Sequence, residues 1–319
     1  MTVTVTDNEN PTLTVTDVTL SLDASGSATL TAGSATDNCD TDVDITYSQS
    51  SFSCSDVALS PVSVTVTATD DAGNTDQTTI NVTVEDNIDP TVAAASNVTA
   101  NTSDDGTGDC TVAIAITDAT FSDNCSGSAI AYEMSGAETV ASTAGQVGTY
   151  TFPIGTTTIT YTATDASNNT ATSTMTVTVT DDEDPTVAAA ANVTANTSDD
   201  GTGDCTVAIA ITDATFSDNC AGSAIAYEMS GAETVASTAG QVGTYTFPIG
   251  TTTITYTATD AAGRTATSSM TVTVTDDEDP TVTATADVTA NTDDDAAGDC
   301  TVDIAITMLY LAITVQEVH

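Results

Sequence analysis

The chain has 319 residues, of which 46 are acidic and one, Arg264, carries a permanent positive charge, giving a formal net charge of -45. That balance excludes recognition of a nucleic-acid backbone or insertion against an anionic membrane surface, both of which need clustered Lys and Arg; cations are the expected partners. A hydrophobic content of 39 % in strand-like alternation also excludes an acidic disordered tail, which pairs its charge with low hydrophobicity.

In chain order, residues 1–10 read as the last strand of a truncated upstream repeat, because MTVTVTDNENP aligns without gaps on MTVTVTDDEDP at 175–185. The start lacks the basic and apolar regions of a signal peptide, and no apolar run approaches the ~18 residues that span a bilayer. Residues 11–90 form a divergent repeat. The segments 91–185 and 186–280 differ at only six of 95 positions, which leaves 89 identical. Residues 281–319 open as a further truncated repeat and end in MLYLAITVQEVH, foreign to the pattern. Pro11, Pro90, Pro185 and Pro280 mark the junctions.

Within 91–185, TVAIAIT (111–117), AIAYEM (129–134), TTTITYTAT (156–164) and MTVTVT (175–180) alternate with period 2 and are rich in β-branched residues. They predict strands that bury Val112, Ile114, Ile116, Ile130, Tyr132, Met134, Ile159, Tyr161, Ala163, Met175, Val177 and Val179 and turn Thr to water. About seven short strands per repeat, with Gly, Asp, Asn and Ser loops at regular intervals, predict all-β tandem immunoglobulin-like antiparallel β-sandwiches arranged end to end.

The stretch FPIGTTTITYTATDASNNTAT (152–172), repeated as FPIGTTTITYTATDAAGRTAT (247–267) and followed by a Thr/Val strand and an acidic Asp-Pro junction, resembles the hyalin (HYR) repeat family. The resemblance is strong over 91–280, looser over 11–90, where TVTATDDAGNT (65–75) carries it, and partial over 281–307. It implies an immunoglobulin-like sandwich and an extracellular adhesive or structural role, including that of very large secreted bacterial surface adhesins. Animal members resemble one another in a Cys near the first strand and another in the last; here those strands read TVAAASNVTA and TSTMTVTVT, so that disulfide is absent.

The cysteines fall instead as Cys39/Cys54, Cys110/Cys125 and Cys205/Cys220, each pair 15 residues apart, with Cys300 left over. Regular spacing reads as one staple per repeat. Pairing across repeats, such as Cys125 with Cys205, is the alternative, since 118–124 must fold back for Cys125 to meet Cys110. Metal ligation by these thiols is disfavoured because the lone His is the final residue.

The acids gather where one repeat hands over to the next. Two carboxylates about 5 Å apart repel by roughly 3 kcal/mol at an effective dielectric of about 20, so these clusters demand a counter-ion. Strand order brings the loop carrying Asp118, Asp123 and Asn124, and the loop carrying Asp165 and Asn168, to the entry junction EDNIDP. The predicted ligand sets for structural Ca²⁺, which takes six to eight oxygens in flexible geometry, are Asp7, Glu9, Asp37, Asn38 and Asp70; Glu85, Asp86, Asp89, Asp123, Asn124 and Asp165; and Asp181, Asp182, Asp184, Asp218, Asn219 and Asp260. Such ions would stiffen the joints in the manner of cadherin-type linkers. The loop SDDGTGDC (103–110 and 198–205) either adds ligands or caps its own turn. Arg264, where the neighbouring repeats have Asn169 and Asn74, either makes a local salt bridge or is a chance surface substitution.

Catalysis lacks its parts: with no Lys and a terminal His, only carboxylate pairs remain, and their near-verbatim repetition argues against a unique active site. The predicted function is a non-catalytic stalk segment of a secreted or cell-surface protein. Its partners are calcium ions and neighbouring repeats, with surface glycans or proteins engaged through other parts of the full protein and no membrane insertion in this segment. A glycan- or protein-binding immunoglobulin-like module is the alternative, and an ice-binding Thr surface a weaker one.

Overall fold

The computed structural model describes residues 1–105, 109–199, 205–279 and 287–289. Cys300 and the segment MLYLAITVQEVH therefore lie outside the described residues. The chain divides into two compact units, Met1–Asp182 and Glu183–His319.

The first unit holds two sandwiches. In the second of them a five-stranded sheet runs in the order Val98–Asn101, Thr170–Thr180, Gly155–Thr164, Ala129–Gly136, Val140–Ala144. Facing it are the pairs Thr111–Ala115 with Thr149–Pro153 and Thr91–Ala93 with Thr120–Ser122. The long hairpin Gly155–Thr164/Thr170–Thr180 pairs over ten residues, Ile159 opposite Met175 and Tyr161 opposite Ser173. Alternation decides its faces. Ile159, Tyr161, Ala163, Met175, Val177 and Val179 are buried, while the Thr between them stay partly or fully exposed.

Val112, Ile116 and Met134 complete the predicted core, with Ile114, Ile130 and Tyr132 half-buried at its margin. Phe152, which the alternation of the neighbouring segment does not single out, is fully buried from the opposing sheet. Burying a side chain of that size stabilises by about 1.5–3 kcal/mol, and a sandwich without Trp depends on it.

The first sandwich is a shorter version: a four-stranded sheet in the order Val18–Ser21, Thr75–Glu85, Val62–Thr69, Asp44–Tyr47, opposed by Thr12–Thr14 with Ser34–Thr36 and Ser27–Thr29 with Ser51–Ser53. Its core gathers Leu22, Leu30, Phe52, Val64, Val66, Ile80, Val82 and Val84. The second unit repeats the five-stranded arrangement with Gly250–Thr259 and Thr265–Thr275 at its centre and Phe247, Ile254, Tyr256, Met270 and Val272 in its core.

Two expectations need correction. The pairing is not wholly antiparallel: Val98–Asn101 runs parallel to the last strand, Val98 opposite Val177, as do Val18–Ser21 and Val193–Asn196 in their own sandwiches. The first strand of each repeat breaks, so its early half joins one sheet antiparallel and its later half crosses to the other. Ala94, just past the early half, donates its N–H to Ser173 Oγ at 3.0 Å.

The disulfides also differ. Cys54 is bonded to Cys125, closing 71 residues and tying the first sandwich to the second. Cys39 is free, so the pair Cys39/Cys54 does not form. Cys110 and Cys220 are each disulfide-bonded, but Cys125 is taken by Cys54 and Cys205 is free, so neither Cys110/Cys125 nor Cys205/Cys220 exists. The physical reason is the full-height strand Thr111–Ala115: it begins beside Cys110 and carries the chain away before the loop that bears Cys125 turns back.

Candidate metal centre

The hairpin end between Gly155–Thr164 and Thr170–Thr180 is a tight loop held by one carboxylate. Asp165 Oδ1 accepts from the backbone N–H of Ser167 (2.9 Å) and of Asn169 (2.7 Å), and its Oδ2 accepts from Asn169 Nδ2 at 2.8 Å. Asn168 takes the left-handed corner, with φ +72°. Asn169 reaches further, donating to the carbonyl of Asp86 at 3.0 Å and of Ile88 at 3.4 Å. That side chain clamps the loop to the entry junction.

From the other loop, Asn124 Nδ2 donates to Asp86 Oδ1 at 3.2 Å and to the carbonyl of Asp23, in the preceding sandwich, at 3.2 Å. Asp123 Oδ2 accepts the N–H of Cys125 at 3.1 Å. Asp86, Asp123 and Cys125 each bring one polar atom within 4.8 Å of the others. The Cys125 sulfur belongs to the disulfide, so it is no thiolate, and the donors here are oxygens.

Burial makes the cluster costly. Asp86 is 5 % exposed and Asp165 6 %, and buried Asp123 Oδ1 and Asn124 Oδ1 accept no hydrogen bond. No Lys exists in the chain, and among the described residues no cationic side chain forms an ion pair with them. Glu85 and Asp89, predicted as ligands, have exposed side chains; Asp118 is exposed as well, and its charge acts instead on Tyr161.

The first sandwich repeats the arrangement. Asp7, Asp37 and Asp70 converge one oxygen each within 4.8 Å. Asn74 Nδ2 donates to Asp70 Oδ2 at 2.7 Å and to the Asp7 carbonyl at 3.4 Å, the same clamp as Asn169. Glu9 is exposed and accepts from Asn38 Nδ2. Desolvation pushes the Asp70 carboxyl upward, yet the hydrogen bonds from Asn74, Gly73 and Ala72 together hold it below the ordinary carboxylate value.

At the far end of the first unit, Asp181 and Asp182 receive Thr102 Oγ1 at 3.3 Å each, and Ser103 Oγ donates to Asp182 Oδ2 at 2.6 Å. Asp104 caps its own turn, accepting the N–H of Asn101 at 2.7 Å, and Asp199 does the same for Asn196. In the second unit Asp260 is 5 % exposed, and its Oδ2 has no hydrogen-bond partner. Asp218 Oδ2 accepts the N–H of Cys220 at 3.1 Å, and Asn219 Nδ2 donates to Glu183 Oε2 at 3.2 Å. Arg264 Nη1 pairs with Asp184 Oδ1 at 3.0 Å. The Asn clamp was visible in sequence only as an Asn recurring at 74 and 169; which backbone it would reach was not.

Three stacked features, namely two-sheet sandwiches, a broken first strand and acid-lined handover loops, define a tandem repeat protein of immunoglobulin-like architecture. The HYR domain description matches residues 85–179 and 180–274, more than half of the chain, and the chain belongs to the HYR domain family. No curated protein sequence matches it. Among solved structures it is similar to mouse cadherin-23 EC22-24, at 17 % identity and a TM-score of 0.36 over 84 % of this chain and 100 % of that one. The same figures hold for a structure titled for host cell surface retention of a 1.5-MDa bacterial ice-binding adhesin. Titin domains I67-I69, in an E-to-A mutated variant, follow at 11 % identity and a TM-score of 0.32, covering 83 % of this chain and 98 % of that one.

Proposed function

We propose that this chain is a non-catalytic extension segment of a large extracellular or cell-surface adhesin, whose handover loops hold structural Ca²⁺. The observation that carries this reading is the convergence of Asp86 and Asp123 with Asn124 on the entry junction, to which the Asp165 loop is tied by Asn169. Asp86 and, in the clamped loop, Asp165 are nearly fully buried, Asp123 Oδ1 and Asn124 Oδ1 lack a hydrogen-bond partner, and the chain has no Lys. Burying an ionised carboxylate without compensation is prohibitive, and a hard divalent cation satisfies carboxylates, amide oxygens and backbone carbonyls together. Asp7, Asp37 and Asp70 fit a second such ion. The ion supplies charge neutralisation, and the Asn169 and Asn74 clamps hold the loops in place for it.

Adhesive use in a bacterial surface protein follows the family resemblance, and the Cys54–Cys125 disulfide suits an oxidising compartment. No helix among the described residues is long and apolar enough to cross a membrane. Calorimetric titration of the full chain with Ca²⁺ tests the site. Binding should be lost in part in the D86N/D165N variant and should exceed that of Mg²⁺ at equal ionic strength. A titration without saturable heat, or one unchanged by the variant, would remove the metal from this reading.

A further inference from the structure

A ring of contacts closes around Asp86 and Asp123. Asp86 follows directly on the strand Thr75–Glu85, and its Oδ1 accepts from Asn124 Nδ2 at 3.2 Å. The end of that strand is fixed sideways: Val84 donates its N–H to Ser60 Oγ at 2.9 Å, and the one-turn helix Cys54–Val57 packs against the same strand. From this helix the Cys54–Cys125 disulfide crosses to the second sandwich, where Cys125 donates its N–H to Asp123 Oδ2 at 3.1 Å. The disulfide thus ties the loop that carries Asp123 to the strand end that carries Asp86.

The corner is packed as well as bonded. A Cβ on Gly26 would lie 2.7 Å from Cys54 Sγ and 2.9 Å from the Asn124 carbonyl oxygen, and Asn124 Nδ2 also donates to the Asp23 carbonyl at 3.2 Å. Asp86, Asp123 and Cys125 each bring one polar atom within 4.8 Å of the others. Like charges this close repel, and the covalent bond resists their separation. Both cysteines line a cleft of about 610 Å³, together with Val57, Glu85, Asp86 and Ser167, which gives a small thiol a path to the sulfurs.

We propose that the Cys54–Cys125 disulfide is a redox control on metal binding at this joint, an inference that rests on the calcium reading above. Formed, the bond preorganises Asp86 and Asp123 for the ion; reduced by a low-molecular-weight thiol, it lets loop and strand end part and the ion leave. In the reduction a small thiolate attacks one sulfur of the pair and displaces the other as a protein thiolate. A second small thiolate attacks the small-molecule sulfur of the mixed disulfide and releases the second protein thiolate. Two small thiols become one small disulfide, the protein disulfide becomes two thiols, and the protons of the small thiols pass to the protein sulfurs. Binding and oxidation are then linked: the factor by which the disulfide raises Ca²⁺ affinity is the factor by which saturating Ca²⁺ protects the disulfide.

The full chain is titrated with Ca²⁺ by calorimetry as wild type and as C54S/C125S, with circular dichroism to follow the sheets. The variant should bind about tenfold more weakly at one site, with the Asp7, Asp37 and Asp70 site unchanged. A second measurement needs no cysteine variant. Wild type is equilibrated in reduced and oxidised glutathione with and without saturating Ca²⁺, alkylated, and the Cys54 and Cys125 peptides are quantified by mass spectrometry. Calcium should raise the ratio of squared reduced to oxidised glutathione at half-reduction by the same factor, and D123N should remove that rise. Equal affinity in wild type and the folded variant, or a glutathione midpoint that calcium leaves unmoved, would overturn the coupling while the metal reading stands. So would a midpoint that moves as far in D123N, since it would mark general stabilisation. If C54S/C125S loses its sheets, the glutathione midpoints alone decide. Absence of saturable heat in either protein would remove the metal reading and the coupling with it.

Discussion

Tyr161 is wholly buried, and its hydroxyl has no hydrogen-bond partner in the described structure. Burial, and then the charge of Asp118 and the neighbouring Tyr132, raise its pKa above the ordinary tyrosine value. An orphaned buried hydroxyl costs on the order of 1–3 kcal/mol, so Y161F should be neutral or stabilising, by up to about 1 kcal/mol in urea unfolding. A loss of more than that would mean the hydroxyl has a bridging partner. The raised value also sets an alkaline limit. The protonated tyrosine favours the fold below the unfolded-state pKa, and that contribution is lost as pH rises through the folded-state value. Y161F should therefore broaden the alkaline end of the stability profile.

At the scale of single elements, two features fix local geometry. Gly136 ends the strand Ala129–Gly136 at φ +106°, where an added Cβ would lie 2.4 Å from the Thr156 carbonyl oxygen. Both the dihedral and the backbone contact reject a side chain, so G136A should cost about 2 kcal/mol or more, read as a lower urea midpoint. The one-turn helix Cys54–Val57 presents the disulfide sulfur and is held by Asp56. Its carboxylate accepts the N–H of Ser53 at 2.8 Å and Gln49 Nε2 at 3.0 Å, and these bonds, backbone first, lower its pKa. The sign follows from linkage: Asp56 contributes stability above the unfolded-state value of about 3.8 and loses it as pH falls through the lower folded-state value. D56N should destabilise by about 1 kcal/mol at neutral pH, with a smaller deficit in acid, in melts taken between pH 7 and pH 3.

Across the whole molecule, charge is the dominant stress, since 46 acids face one Arg. Monovalent salt screens that repulsion everywhere, with a Debye length of about 8 Å at physiological strength, whereas a bound divalent ion acts at the handover loops. Millimolar Ca²⁺ should raise the melting temperature well beyond NaCl of equal ionic strength. At a concentration of about 100 times Kd the gain is roughly 2.7 kcal/mol. Chelation should reverse it, and equal effects of the two salts would assign the stabilisation to screening alone.

Residue by residue, the sequence was most legible where one rule governs. Period-2 alternation named Ile159, Tyr161, Met175, Val177 and Val179 as core, because a strand offers its side chains only two faces. The 95-residue period marked the repeats, and their acids stood out at the junctions for want of Lys. Only the folded chain decided which distant groups meet. Cys54 bonds Cys125 rather than Cys39, Asn169 clamps Asp86, and the first strand splits to run parallel to the last. Such contacts depend on where strands end in space, and equal spacing along a chain carries no information about that distance.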